Sequence, residues 1–325
     1  MGFLTKGVFL AISAHGLIGI SLLWDKVLLQ RPATKSLANY VFWLGAISLF
    51  GVLLIPFGFK LPTLGIAALA VGTGMIHLAA NWFYYAALKG GEASETLAVM
   101  GGFAPLATAL IAMPLLAERL GGKSLVAFAL LVGGGFVMFG SETWNWRKVL
   151  PSVLLSAGLF GLTNVLQKVV FNSTGFVSGY VFFTIGTFLG AMALLLRPLW
   201  RQQIFEGSED APPKSKLWYF VNRFISGVGS FLIFLAISRS NPAIVSAIEG
   251  ERYAIIFIGA FLLTKIKPGW LSEDFRRGAL ICKTVATALV VAGLVLIGLG
   301  GRESGGGAAQ SRPLDSPGRI LVRIC

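Results

Sequence analysis

Apolar runs of about twenty residues, the length a helix needs to cross a hydrocarbon layer about 30 Å thick, recur along nearly the whole of this chain. Ten of them stand out: Gly7 to Trp24, Leu37 to Phe57, Leu64 to Leu88, Thr96 to Ala117, Ser124 to Gly140, Val149 to Phe171, Thr174 to Leu196, Leu217 to Ile237, Pro242 to Thr264 and Gly278 to Gly300. They are apolar on all faces and do not alternate, which argues against the strands of a membrane barrel. A segment in lipid must satisfy its own backbone hydrogen bonds, so these runs predict an all-α integral membrane protein with ten transmembrane helices.

Composition points the same way. With 55% hydrophobic residues, 13% charged residues and a mean hydropathy of +0.78, the chain carries more apolar surface than a soluble globule of this size can hide. The first run has Lys6 ahead of it like a signal peptide, but Trp24-Asp25-Lys26 follows where a small-residue cleavage site belongs, so it reads as a retained helix. The joints Arg197 to Lys216 and Lys265 to Arg277 read as solvated loops, and the Gly- and Ser-rich stretch 301–325 as a flexible tail. Cys282 and Cys325 make neither a disulfide framework nor a metal motif, and no complete Walker-type Gly-x-x-x-x-Gly-Lys-Ser/Thr loop is present to bind a nucleotide, Ala117 standing in the first glycine's place before Gly122-Lys123-Ser124. No cofactor is expected.

A constant shift lays Gly16-Leu17-Ile18-Gly19 on Gly158-Leu159-Phe160-Gly161, Lys26-Val27 on Lys168-Val169, and Pro56 on Pro198. With the shift growing across the long joints, Ala87-Leu88 falls on Ala236-Ile237, and Gly135 through Gly140 on Gly293 through Gly298. The ordered series divides the chain into repeats 1–143 and 144–300. Five crossings is an odd number, so the second repeat enters the membrane inverted. Inverted repeats place a substrate site near the bilayer midplane, between halves that rock.

Ionisable residues in lipid cost roughly 2.5 to 3.5 kcal/mol each on insertion scales, so they mark candidate chemistry. Glu249, Glu251 and Arg252 fall near the middle of the ninth run; Glu249 and Arg252 share a helix face and can pair, while Glu251 points elsewhere and can take up a proton. A neutralised knot that locks helix packing is the competing reading. Gly250 permits a local break in that helix. Arg223, beside Asn222, either snorkels to the interface or clamps a substrate carboxylate. His15 and His77, the latter one turn before Asn81, are packing histidines or members of a proton path. Asn164 and Gln167 form a polar patch at spacing i, i+3. Lys26 and Lys168, with Asp25 and Gln167 beside them, read as interfacial anchors, and Trp82 to Tyr85 as an aromatic girdle. Gly133 to Gly135 and the Gly186…Gly190 spacing report close helix packing, and Pro105 and Pro114 bend the fourth run.

Tyr84-Tyr85-Ala86-Ala87-Leu88, Ala93-Ser94, Ala104-Pro105-Leu106 and Leu115-Leu116-Ala117-Glu118-Arg119-Leu120, followed by the glycines of 133–140, resemble the closing part of a repeat of the EamA-type ten-helix carriers in the drug/metabolite transporter superfamily. The second half is similar through Ala236-Ile237, Ala243 and Gly293, but Lys265-Ile266 stands where the family's Glu-Arg is expected. The resemblance implies a secondary carrier, often an exporter, for small metabolites such as amino acids, in a cytoplasmic membrane of the bacterial type. It implies no catalysis. Its partners are a small-molecule substrate, lipid, protons as a candidate coupled ion, and a second copy of the chain as a candidate dimer partner. The net charge of +13 is scattered over loop ends and does not point to nucleic acid. Counting Lys and Arg by side favours external termini, whereas the resemblance implies cytoplasmic ones. An assembly subunit without substrate and, behind it, a membrane-embedded enzyme are the alternative functions; the first predicts fully paired polar groups and no cavity between the halves.

Overall fold

The computed structural model describes residues 3–29, 36–90, 93–117, 121–139, 146–209, 213–266 and 277–300. Among them there is no strand. The helices are α1 (Phe3–Leu29), α2 (Leu37–Ser48, continued by a 3-10 stretch Leu49–Phe57), α3 (Leu64–Gly90), α4 (Ala93–Leu116), α5 (Gly122–Phe139), α6 (Trp146–Thr174), α7 (Phe176–Leu194), α8 (Pro198–Glu209), α9 (Pro213–Arg239), α10 (Pro242–Ala247), α11 (Glu251–Ile266) and α12 (Arg277–Gly300). Among the described residues, 7 helices are long and apolar enough to cross a membrane: α1, α2 with its extension, α3, α4, α6, α7 and α9. α5 and α12 hold shorter apolar stretches, Gly122–Val137 and Leu280–Gly293. The ninth apolar run is not one helix. Asn241 caps α10, accepting from the backbone N–H groups of Ala243 and Ile244, and a 3-10 turn Ile248–Gly250 separates α10 from α11.

The surface is inverted relative to a soluble protein. Phe9, Phe50, Leu53, Phe57, Leu110, Phe224 and Ile281 point outward, while His15, Asp25, Gln167, Arg223, Glu249 and Arg252 are buried. Lipid absorbs the first set at no cost, and the second set must find partners inside the bundle. The chain is thus an integral, multi-pass membrane protein.

α1 packs on α9 and α6 on α3; α4 packs on α6 and α11 on α1; α5 packs on α12, and α7 on both α2 and α3. α1 and α9 run antiparallel: Asp25 meets Asn222 and Arg223 at one end, and Gly7 meets Ser240 at the other. The α3–α7 approach depends on glycine. A Cβ on Gly186 would overlap the Val71 backbone, and one on Gly74 the Phe183 carbonyl and the Thr187 amide, so the two backbones lie in direct contact.

Two expectations change in detail. The joint Arg197 to Lys216, expected as a solvated loop, contains α8. Trp200 and Ile204 share one of its faces; Ile204 is fully buried and its carbonyl accepts from Asn39 Nδ2 at 2.7 Å, whereas Leu199 and Phe205 stay exposed. Lys168 is not an interfacial anchor. It is buried, and its Nζ donates to the carbonyls of Ile237 (2.9 Å), Ser238 (3.2 Å) and Ser240 (3.1 Å), capping the C-terminal end of α9 with a cation where the helix dipole favours one. The side chains of Lys26 and Lys265, the Glu118-Arg119-Leu120 motif and the 301–325 tail lie outside the described residues.

Candidate functional site

A cavity of about 90 Å³ opens where α1, α3, α6, α9 and the α10–α11 break converge. α1 supplies His15, Ile18 and Leu22; α3 supplies His77, Asn81, Tyr84 and Tyr85; α6 supplies Phe160 and Asn164. α9 adds Ser226, Ser230, Ile233 and Phe234, and the broken ninth segment adds Val245, Ser246, Glu249 and Arg252. His15 lies about twelve residues into α1, roughly 18 Å along its axis, so the cavity is near mid-height in the bundle. Of the residues singled out in the sequence, His15, His77, Asn81, Asn164, Glu249 and Arg252 therefore meet at one place.

The break in the ninth segment puts its charges there. Arg252 Nη1 donates to Glu249 Oε1 at 2.6 Å across the 3-10 turn, and both side chains are about one-tenth exposed. His15 Nε2 lies 2.9 Å from the Val245 carbonyl; a carbonyl only accepts, so Nε2 carries the hydrogen. Around this polar centre stand aromatic edges: His77 meets Phe160 at 5.4 Å and Phe234 at 5.6 Å between ring centroids.

The cavity is not internally satisfied. His15 Nδ1, His77 Nδ1, Tyr84 Oη and Arg252 Nε are buried and have no hydrogen-bond partner among the described residues. Buried polar atoms are paired in the great majority of cases, so four orphans among the residues lining one cavity call for water or a ligand. The set includes donors from Arg252 and Tyr84, an acceptor in His15 Nδ1, and His77 Nδ1, which serves as either according to tautomer, and this suits a small polar molecule carrying both kinds of group.

Three singled-out residues lie elsewhere. Gln167 is fully buried, its Nε2 donating to the Gly179 carbonyl at 3.2 Å, so the i, i+3 patch with Asn164 is split between α7 and the cavity. Glu251 is on the α1 side of α11, its carboxylate near Gly16, and its Oε2 has no partner among the described residues. Arg223 does not snorkel. It is 3% exposed and ion-paired to Asp25, which is 0% exposed, and this pair sets the largest gap between sequence and structure.

Four donors converge on the Asp25 carboxylate: Tyr40 Oη, Asn222 Nδ2 and Arg223 Nη2 on Oδ1, and Tyr85 Oη on Oδ2 at 3.1 Å. Arg223 Nη1 donates to Tyr85 Oη at 2.8 Å, and its guanidinium lies 5.1 to 5.6 Å from the rings of Tyr40, Tyr85 and Tyr219. Tyr219 Oη donates to the Tyr40 carbonyl at 2.9 Å. Asp25 went unremarked in the sequence except as a neighbour of Lys26; the usable signal was that an Asp at the end of one apolar run and an Arg inside another need each other in lipid.

Residues 5–140 match the model of the EamA-like transporter family, part of the drug/metabolite transporter superfamily. A protein of known crystal structure superposes with a TM-score of 0.59, covering 92% of this chain and 97% of its own at 16% identity, which speaks to the fold alone. No curated protein sequence matches the chain.

Proposed function

We propose, from the match of residues 5–140 to the EamA-like transporter family, that this chain is a membrane transporter of the drug/metabolite kind and a secondary carrier moving a small polar metabolite through the central cavity. The substrate class is amino acids or related compounds, the direction export, and the mechanism alternating access between two inverted five-helix repeats, 1–143 and 144–300, in ten crossings. The helix contacts support the repeat: exchanging α1 with α6, α3 with α9, α4 with α10–α11 and α5 with α12 turns α1–α9 into α6–α3, α4–α6 into α11–α1, and α5–α12 into itself.

The observation that carries the reading is the cavity between the halves, with the Glu249–Arg252 pair and four orphaned polar atoms on its walls. A substrate carboxylate accepts from Arg252 and Tyr84, while an amino group donates to Glu249 and to the free imidazole nitrogen of His15. Assembly without a substrate would call for closed packing and paired polar groups, and the cavity argues against it. Glu251, outside the cavity and with an unpartnered oxygen, is the proposed site of proton coupling.

The test is uptake of a panel of labelled amino acids into vesicles containing the purified protein, with and without a pH gradient. Uptake of at least one above protein-free vesicles is expected, with Arg252→Ala losing it and Glu251→Gln keeping it but losing its pH dependence. No uptake of any member, with folded protein in the vesicles, would sink the carrier reading for this class.

A further inference from the structure

The cavity has a lid of unusual chemistry at one end. Leu22, Tyr85 and Ser226 line the cavity; Asp25 lies one turn beyond Leu22 toward the end of α1, and Arg223 one turn before Ser226 toward the start of α9. Because α1 and α9 are antiparallel, these steps lead the same way. Tyr85 spans the boundary, its ring on the cavity wall and its hydroxyl bonded to both Asp25 and Arg223. Tyr40 at the start of α2 and Tyr219 on α9 close the ring on the outer side, in edge contact at 5.1 Å. Asp25, Tyr40 and Tyr85 come from the first half of the chain, Tyr219, Asn222 and Arg223 from the second, so the three side-chain bonds from Arg223 to Tyr85, Asp25 and Tyr40 cross between halves.

We infer that the Asp25–Arg223 pair, with Tyr40, Tyr85 and Tyr219, is the gate that closes the cavity toward the end of the membrane where α1 ends and α9 begins. Parting the halves at this end breaks the salt bridge and the Tyr85 bonds together. The exposed charges are then hydrated, Asp25 about one turn and Arg223 about three turns from their helix ends, which recovers much of what the broken bonds gave. An apolar plug offers no such compensation, so a polar lock makes closure firm and opening reversible. The gate rests on the carrier reading for its purpose, but its geometry can be tested without any substrate.

The experiment uses the full chain in membrane vesicles of both orientations, with Cys282→Ser and Cys325→Ser and a single reporter, Ser226→Cys, treated with a membrane-impermeant thiol reagent. Lys89→Cys, exposed at the end of α3, marks the face in question. With the lock intact the reporter is labelled slowly from that face; Asp25→Asn, which keeps the shape and removes the charge, raises the rate about tenfold, and Tyr85→Phe raises it by a smaller factor. Exchanging the pair, Asp25→Arg with Arg223→Asp, returns the rate toward that of the parent. An unchanged rate in both Asp25→Asn and Tyr85→Phe, with normal detergent-solubilised elution, overturns the gate. Should Asp25→Asn fail to fold, Tyr85→Phe alone decides. Because labelling needs no transported molecule, loss of uptake with a working gate faults the function, and uptake with an unresponsive gate faults this inference.

Discussion

Two inter-half contacts of this bundle are built from opposite materials. Where α3 meets α7, Gly74 and Gly186 bring backbone against backbone, and the neighbouring contacts are aromatic, with Phe183 4.5 Å from Phe234 and 5.1 Å from His77 between ring centroids. Where α2 meets α9, no glycine among the described residues brings one backbone onto the other; the space is filled by Tyr40, Tyr219, Arg223 and the carboxylate of Asp25. Under the proposed repeat the two contacts exchange, α3 with α9 and α7 with α2. The difference teaches how one architecture yields a firm contact and a releasable one. Between helices in lipid there is little hydrophobic drive, so dispersion between close backbones holds the first, while the second is held by directed bonds that water can replace.

The sharpest way to break the comparison is to remove one charge. Asp25→Ala leaves Arg223 buried without its counter-ion and is expected to cost about 3 to 5 kcal/mol, read as a large loss of thermal stability in detergent. Removing both charges with shape-matched apolar residues, Asp25→Leu with Arg223→Met, is expected to recover most of that loss, because the cost belongs to the unpaired ion. If the double variant is as unstable as Asp25→Ala, the pair is a structural strut and the contrast with the glycine contact disappears.

The glycine contact is tested next. Gly186→Ala adds one methyl group against the Val71 backbone, which cannot rotate aside, and is expected to cost about 1 to 3 kcal/mol by forcing α3 and α7 apart. Gly133→Ala meets nothing within 4 Å and is the control, expected to be neutral in the same unfolding measurement.

Legibility followed the range of the interactions. The helices came from apolar runs, a local property, and so did the Glu249–Arg252 pair, whose i, i+3 spacing fixes a shared face. Gly250 hinted at the break between α10 and α11 because glycine weakens a helix locally. Six site residues converge on the cavity because each was polar in an apolar run, a signal needing no knowledge of neighbours. Asp25–Arg223 was different: its partners sit on helices far apart in the chain, and Asp25 stands just past the first apolar run, where the local reading saw an interface. Lys168 failed likewise, since the α9 carbonyls it caps are distant in sequence. α8 was hidden by charge, its buried face resting on two residues, Trp200 and Ile204.

The smallest expected effect sharpens what holds the polar contact. In Tyr219→Phe the ring stays, keeping its place 5.5 Å from the Arg223 guanidinium and its edge contact with Tyr40, while the bond to the Tyr40 carbonyl is lost. That carbonyl lies in the first turn of α2 and keeps its helical acceptor role, so no buried acceptor is orphaned. The loss should then be about 0.5 to 1 kcal/mol. Tyr219→Leu removes ring and hydroxyl together and should cost clearly more, through the cation–π and edge contacts. Equal thermal stability of the two variants would mean that the hydroxyl alone matters; a Phe variant near the parent and a Leu variant well below it would assign the hold to the aromatic cage around Arg223.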